Sequence, residues 1–212
     1  AGLGFEKLVY DGLGKVFTGI VVAPIGGMIF GIAVTGLIIF LFARRKPAIV
    51  NRTFGRLQII SSAWFALTHG ANDGQKTMGI IVLILFAADL IPELEMPLWV
   101  IFAAATAMGL GTFFGGYKVI KTLGVRITRL KPYQGFAAET SGGLMLAVFA
   151  TLGIPASTTH AITGTIMGAG SARRIRAVRW KVSRQIIFSW VITIPGAAAL
   201  GAVCTYIIHL FV

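Results

Sequence analysis

The sequence predicts an all-α integral membrane fold with about four crossings and one re-entrant helical hairpin. Three observations predict it. Hydrophobic types make up 56% of the 212 residues, charged types only 12%, and mean hydropathy is +0.85. A soluble domain carries roughly 25% charged residues and could not cover its surface with half of that. Every one of the 19 Lys and Arg except Lys7, Lys15 and Lys76 falls in one of three short segments between long apolar runs, the pattern of the positive-inside rule. Finally, one region with basic flanks on both sides has an arm too short to cross a hydrocarbon core of about 30 Å.

The composition excludes disorder, a collagen-like repeat and an ordinary soluble enzyme. The net charge of +12 is confined to the three segments, so it marks topology and not a nucleic-acid partner. Cys204 is the single cysteine, which excludes an internal disulfide and a Cys-based metal site and reads as a small core residue. His69, His160 and His209 are too spread to signal zinc, and no cofactor is implied. The opening AGLGFEKLVYDGLGK has no signal-peptide pattern and reads as a start inside a longer protein.

The elements follow in order. The first apolar run, 16–43, is long enough to cross with some tilt. It ends at a basic segment with Arg44, Arg45, Lys46, Arg52 and Arg56. The second run, 57–90, is too long for one plain span, is interrupted by the polar stretch His69–Lys76, and predicts a broken helix. The loop after it is acidic, with Asp89, Glu93 and Glu95. The third run, 98–117, crosses back to a second basic segment with Lys118, Lys121, Arg126, Arg129 and Lys131. There Val119, Ile120, Leu123, Ile127 and Leu130 alternate with charge, which suits either a short interfacial helix or an irregular loop. Region 133–170 then predicts the re-entrant hairpin, with GIPASTTH at its tip. A third basic segment holds Arg173, Arg174, Arg176, Arg179, Lys181 and Arg184. The last run, 186–212, crosses outward with Pro195 as a kink point. One topology places the N-terminus and acidic loop outside and all three basic segments inside; it amounts to one structural repeat, 1–212 as a single membrane domain. Trp99 and Trp180 fall at the interfaces.

Charge inside an apolar run costs several kcal/mol unless paired, hydrated or bound to an ion, so the stretch HGANDGQKT is the first candidate site. Asp73 and Lys76, three apart, share a helix face. An uninterrupted helix would line up Ser62, His69, Asp73 and Thr77; a break at Gly70 or Gly74 would free backbone groups instead. Asp73 and Asn72 can supply oxygens to a hard cation, or Asp73 can carry a proton. Gln75 and Lys76 can donate to an anion. An Asp73–Lys76 pair that only joins helices is the plain alternative. The second candidate is the turn Ser157, Thr158 and Thr159 after Pro155. A half-helix beginning there inside the membrane points free N–H groups inward, which suits an oxyanion; simple capping is the plain alternative. Gly164 and Gly168 form a G-x-x-x-G packing motif. Glu139 is the third candidate, as a cation or proton site, or as a partner of Arg129 or Lys131.

Together, HGANDGQKTMG and GIPASTTHAITGTIMGAG resemble the signatures of the inorganic phosphate transporter family, the low-affinity bacterial phosphate permeases and their relatives, over about 54–212. The resemblance implies phosphate uptake coupled to a cation, with H⁺ favoured over Na⁺, and leaves open a neutral complex of phosphate with a divalent metal such as Mg²⁺. It implies a multi-pass protein of the bacterial inner membrane. By position it makes Asn72, Asp73 and, more loosely, Glu139 coupling-ion residues. Gln75, Lys76, Thr77, Ser157, Thr158 and Thr159 become phosphate-binding residues. Family members have two inverted halves, each with its own signatures. Here each signature occurs once, so the chain resembles the C-terminal half alone, an incomplete transporter that requires the N-terminal half as partner. A homodimer is compatible with the sequence but cannot replace an oppositely oriented half. The competing readings are a carrier or channel for another ion, and a structural membrane subunit.

Overall fold

The computed structural model describes residues 10–211; the opening residues 1–9 and Val212 at the end of the last apolar run lie outside it. Six long helices account for most of it: α1 Tyr10–Leu41, α2 Pro47–Ala87, α3 Leu98–Lys121, α4 Pro132–Thr151, α5 Thr158–Ser171 and α6 Trp180–Phe211. Their boundaries follow local chemistry. Pro47 and Pro132 each begin a helix directly after an extended lysine, Lys46 and Lys131, where a missing N–H and a fixed φ fit the first turn. After α2, Asp89 takes a left-handed φ of 54° and Leu90 donates back to the Leu85 carbonyl at 3.0 Å. Gly153, at φ 62°, ends α4 the same way, with Ile154 donating to the Phe149 carbonyl at 2.9 Å.

Helix α5 is the buried centre, packed between α1 and α4, and α2 covers α4. The α1–α5 contact is made of backbone. A β-carbon on Gly164 or Gly168 would run into the carbonyl of Pro24 or Met28. On the other helix, one on Gly27 would lie 2.7 Å from the Ala161 carbonyl, and one on Gly31 would run into that of Thr165. Small residues four apart on both helices permit this approach, which matters in lipid, where apolar side chains gain little by association. On the α2–α4 side, Gly135, Gly142 and Gly143 make room for Gln58, Phe65 and Trp64.

The basic connections gather at one end. Phe42, Phe54, Tyr133 and Ala137 pack where α1 ends and α2 and α4 begin. Ile127, Ala169 and Val178 join the 122–131 connection to the end of α5 and the start of α6, and Arg179 N–H bonds the Ile127 carbonyl at 2.8 Å. The acidic loop 88–97 follows the far end of α2. Among the described residues, three helical stretches are long and apolar enough to span a membrane: Gly14–Leu41, Leu98–Ile127 and Trp180–Ile208. Helices α4 and α5 form a helical hairpin whose tip meets α1 at Gly19 and α2 at Lys76. From there α1 continues nine residues to Tyr10 and α2 eleven to Ala87, about 14 and 16 Å of helix. The hairpin therefore stops short of its neighbours' outer ends.

Three expectations are corrected. The helix expected to break within 57–90 is continuous from Pro47 to Ala87. Gly70 and Gly74 cost only about 1 kcal/mol each inside a helix. Its polar side chains also return to their own helix: Thr68 donates to Trp64 O at 3.2 Å and Asn72 to Thr68 O at 2.9 Å. The second basic segment is neither a separate surface helix nor irregular throughout. It extends α3 to Lys121 and adds a wider helical turn, Thr122–Ile127, because Ile127 is fully buried and draws the chain inward. Cys204 is exposed on α6 and not a core residue.

Candidate functional site

Continuity of α2 decides which polar residues can cooperate. At 100° per residue, His69, Asp73, Lys76 and Thr77 fall on one face. His69 Nε2 lies 3.1 Å from Asp73 Oδ2, and Lys76 Nζ donates to Asp73 Oδ1 at 3.0 Å. Thr77 Oγ1 bonds the Asp73 carbonyl at 3.3 Å. Gln75 falls about 160° around the helix from Asp73 and is exposed on the other side. Asn72 is buried, its amide turned back to Thr68, and extends the row that faces α4. Ser62 bonds its own helix at Ile59 and does not join the cluster.

The hairpin tip closes on this face. Thr158 Oγ1 donates to Asp73 Oδ2 at 2.8 Å, and Lys76 Nζ donates to the Ala156 carbonyl at 2.8 Å. Residues 85 and 80 positions apart in the chain are thus joined by two short polar contacts. The tip is held by buried Ala156 and by Pro155, whose carbonyl abuts Gly19. Ser157 caps α5, its hydroxyl accepting a long bond of 3.4 Å from His160 N–H. The first intrahelical bond runs from Ala161 N–H to Ser157 O, so the N–H groups of Thr158 and Thr159 stand ahead of it at the positive end of the helix. Thr159 is exposed beside them.

The arrangement offers both signs of chemistry. Asp73 is the one carboxylate, with 27% of its side chain exposed. Lys76, 45% exposed, commits two of its three donors, to Asp73 and Ala156, and keeps one. The leading N–H groups of α5 give the tip the positive end of a helix, a favourable environment for an anion. Among the described residues no group of three or more His, Cys, Asp or Glu could hold a metal.

Glu139 stands apart and pairs with neither Arg129 nor Lys131 among the described contacts. Ser61 Oγ donates to its Oε2 at 2.6 Å and Gln58 Nε2 to its Oε1 at 3.2 Å. Ser61 precedes Asp73 by twelve residues on one helix, about 18 Å of rise. The sequence reading missed three groups here. Gln58 and Ser61 carried a signal, two polar residues three apart in an apolar run. The Ala156 carbonyl carried none, because a backbone acceptor is invisible in side-chain chemistry.

The comparisons with known proteins agree with one another. The model of the phosphate transporter family matches residues 1–201. A probable low-affinity inorganic phosphate transporter of Rhizobium meliloti (strain 1021) is 44% identical over 207 residues, covering 97% of this chain and 62% of that protein. The Bacillus subtilis (strain 168) protein of the same description is 37% identical over 211 residues, covering 99% and 63%. The chain thus spans a little over three-fifths of the length of these two relatives. Among solved structures, one described as the sodium-dependent phosphate transporter superposes with a TM-score of 0.78 at 23% identity, over 94% of this chain and 67% of that one. That likeness speaks for the fold.

Proposed function

We propose, because the chain belongs to the phosphate transporter family, that it is the C-terminal repeat of a cation-coupled phosphate symporter of the inner membrane. The observation that carries this reading is the closure of Thr158 and Ala156 on Asp73 and Lys76. It joins a carboxylate, an ammonium and a helix N-terminus in one polar layer among apolar helices, the three groups a coupled anion carrier needs. The hairpin tip, short of the ends of α1 and α2, supports a re-entrant placement.

Coupling follows from Lys76. With no ions bound, Asp73 holds the ammonium at 3.0 Å. A proton or Na⁺ taken up by Asp73 removes that charge partner and frees Lys76 to turn to phosphate. Phosphate then lies against Lys76, the Thr159 hydroxyl and the leading N–H groups of α5, with Thr77 and Ser157 at the margins. Cation binding thus prepares anion binding, and the charges partly cancel before the site changes sides. H⁺ is the favoured coupling ion, and Glu139 in its Ser61–Gln58 seat is a second proton or cation locus. Asn72 and Gln75 act through α2 and its packing. The N-terminal repeat supplies the opposing half of the site.

Uptake by the complete two-repeat protein in sealed vesicles tests the proposal, with proton gradient, Na⁺ gradient and Mg²⁺ varied independently. Asp73→Asn is expected to abolish gradient-driven phosphate accumulation while leaving the protein folded and membrane-inserted. Accumulation at the parent level would overturn the mechanism. Sulfate competing as well as arsenate would favour a carrier of broader anion range. Dependence of uptake on Mg²⁺ would make the metal complex the substrate.

A further inference from the structure

We propose that the 122–131 and 172–181 connections together form a binding site for the headgroup of an anionic phospholipid. The two segments are bound into one surface. Arg179 N–H bonds the Ile127 carbonyl at 2.8 Å, and Ile127 and Val178 share a buried cluster. Trp180 Nε1 ties back to the Ile175 carbonyl at 3.0 Å, which fixes the turn Ile175–Ala177. Around this joint Arg126, Arg129, Arg173, Arg174, Arg176 and Arg179 are all exposed. Neither segment contains an acidic residue, and no ion pair of these arginines occurs among the described residues.

Two features select a lipid over a soluble polyanion. The first is depth. The apolar stretch Leu98–Ile127 ends and the stretch Trp180–Ile208 begins at this joint, so the arginines sit where two membrane-length helices emerge, at the level of headgroup phosphates. The second is the apolar residue among the charges in each segment. Ile175 is 69% exposed between Arg174 and Arg176, and Val125 is 50% exposed beside Arg126. Water or nucleic acid gives such side chains nothing, whereas the headgroup–acyl boundary accepts both the chain and the charge next to it. Guanidinium groups also suit phosphate diesters through paired N–H donors. A headgroup lying across both segments would fasten the foot of α6, which otherwise rests on the protein chiefly at the 122–127 turn and at the His160–Trp190 ring contact.

The test uses the full chain in nanodiscs of phosphatidylcholine with a minority of phosphatidylglycerol. The lipid retained after transfer to neutral detergent is read by native mass spectrometry. Phosphatidylglycerol is expected to be retained well above its share. The double variant R174Q/R176Q should lower that retention about thirtyfold, given the contribution of one basic residue near a charged membrane surface. R44Q/R45Q, with the same charge change in another connection, should change it less than about threefold. An unchanged unfolding temperature in detergent shows that both variants are folded. Equal retention of the two lipids, or equal losses in both variants, would overturn the proposal. Stripping of the lipid by excess inorganic phosphate would assign the site to the free ion. Preferential capture of heparin over phosphatidylglycerol would assign it to a soluble polyanion. Either outcome would overturn the lipid reading and leave the transport proposal standing.

Discussion

At Asp73 the chemistry rests on single bonds. Its Oδ2 takes the Thr158 hydroxyl at 2.8 Å and faces His69, and its Oδ1 takes Lys76. A hydrogen bond to a charged group contributes about 2 kcal/mol, so Thr158→Val in the proposed two-repeat symporter should weaken apparent phosphate or cation affinity roughly thirtyfold. Thr151→Val, which removes only a bond to Val148 in its own helix, should leave it near the parent value. Initial-rate uptake across substrate and cation concentrations checks both. Asp73, Lys76 and Thr158 were legible in the sequence, because charge in an apolar run and a hydroxyl turn after proline each need a reason. That the two stretches meet is the premise of the transport reading, and Thr158 Oγ1 lies 2.8 Å from Asp73 Oδ2; which atoms join them was not legible, because that depends on a fold that brings together chain positions 85 apart. Nor was the separation of Glu139, since its acidity and position say nothing of Ser61 and Gln58 waiting on α2.

Between elements, the glycine contact of α1 with α5 governs stability. Gly164→Ala or Gly168→Ala would press a methyl into the Pro24 or Met28 carbonyl. Such overpacking costs about 1–3 kcal/mol, and the unfolding temperature should fall by several degrees, roughly 2–4 °C per kcal/mol. Gly36→Ala on the same α1 meets nothing within 4 Å and should hold or slightly raise it, because alanine is the better helix former by about 1 kcal/mol. Scanning fluorimetry in one detergent compares them. The G-x-x-x-G of α5 was visible in the sequence, but its partner was not: Gly27 and Gly31 are two of many glycines in a glycine-rich chain. Helix existence was readable from apolar runs between charged segments. The break placed in α2 was an error of local reasoning, which counted the glycines and polar residues as breakers and missed their bonds back to the same helix.

Over the whole molecule, charge sorts the ends. The basic connections pack together on one side, and the loop with Asp89, Glu93 and Glu95 follows the far end of α2. In intact cells carrying Cys204→Ser, Glu93→Cys is expected to react with an impermeant maleimide applied outside. Arg45→Cys and Arg174→Cys should react only after permeabilisation. Labelling of Arg174→Cys from outside would reverse the orientation and place the headgroup arginines in the other leaflet. Sidedness is the expectation that this labelling tests, whereas the six-helix order was legible because charged segments separate the apolar runs. The angle and depth of the hairpin were not, because they are set by carbonyl-to-glycine contacts that hydropathy does not register.

The fit of α5 against α1 also limits how the site can open. Where main chain lies on main chain there is no rotamer to flip and no compliant padding to compress. The close contact of α5 with α1 therefore favours movement of the two as one body over a flap-like opening of the hairpin. In the transport cycle proposed above, any opening at Asp73 then falls to contacts made through side chains, such as those of α2 against α4.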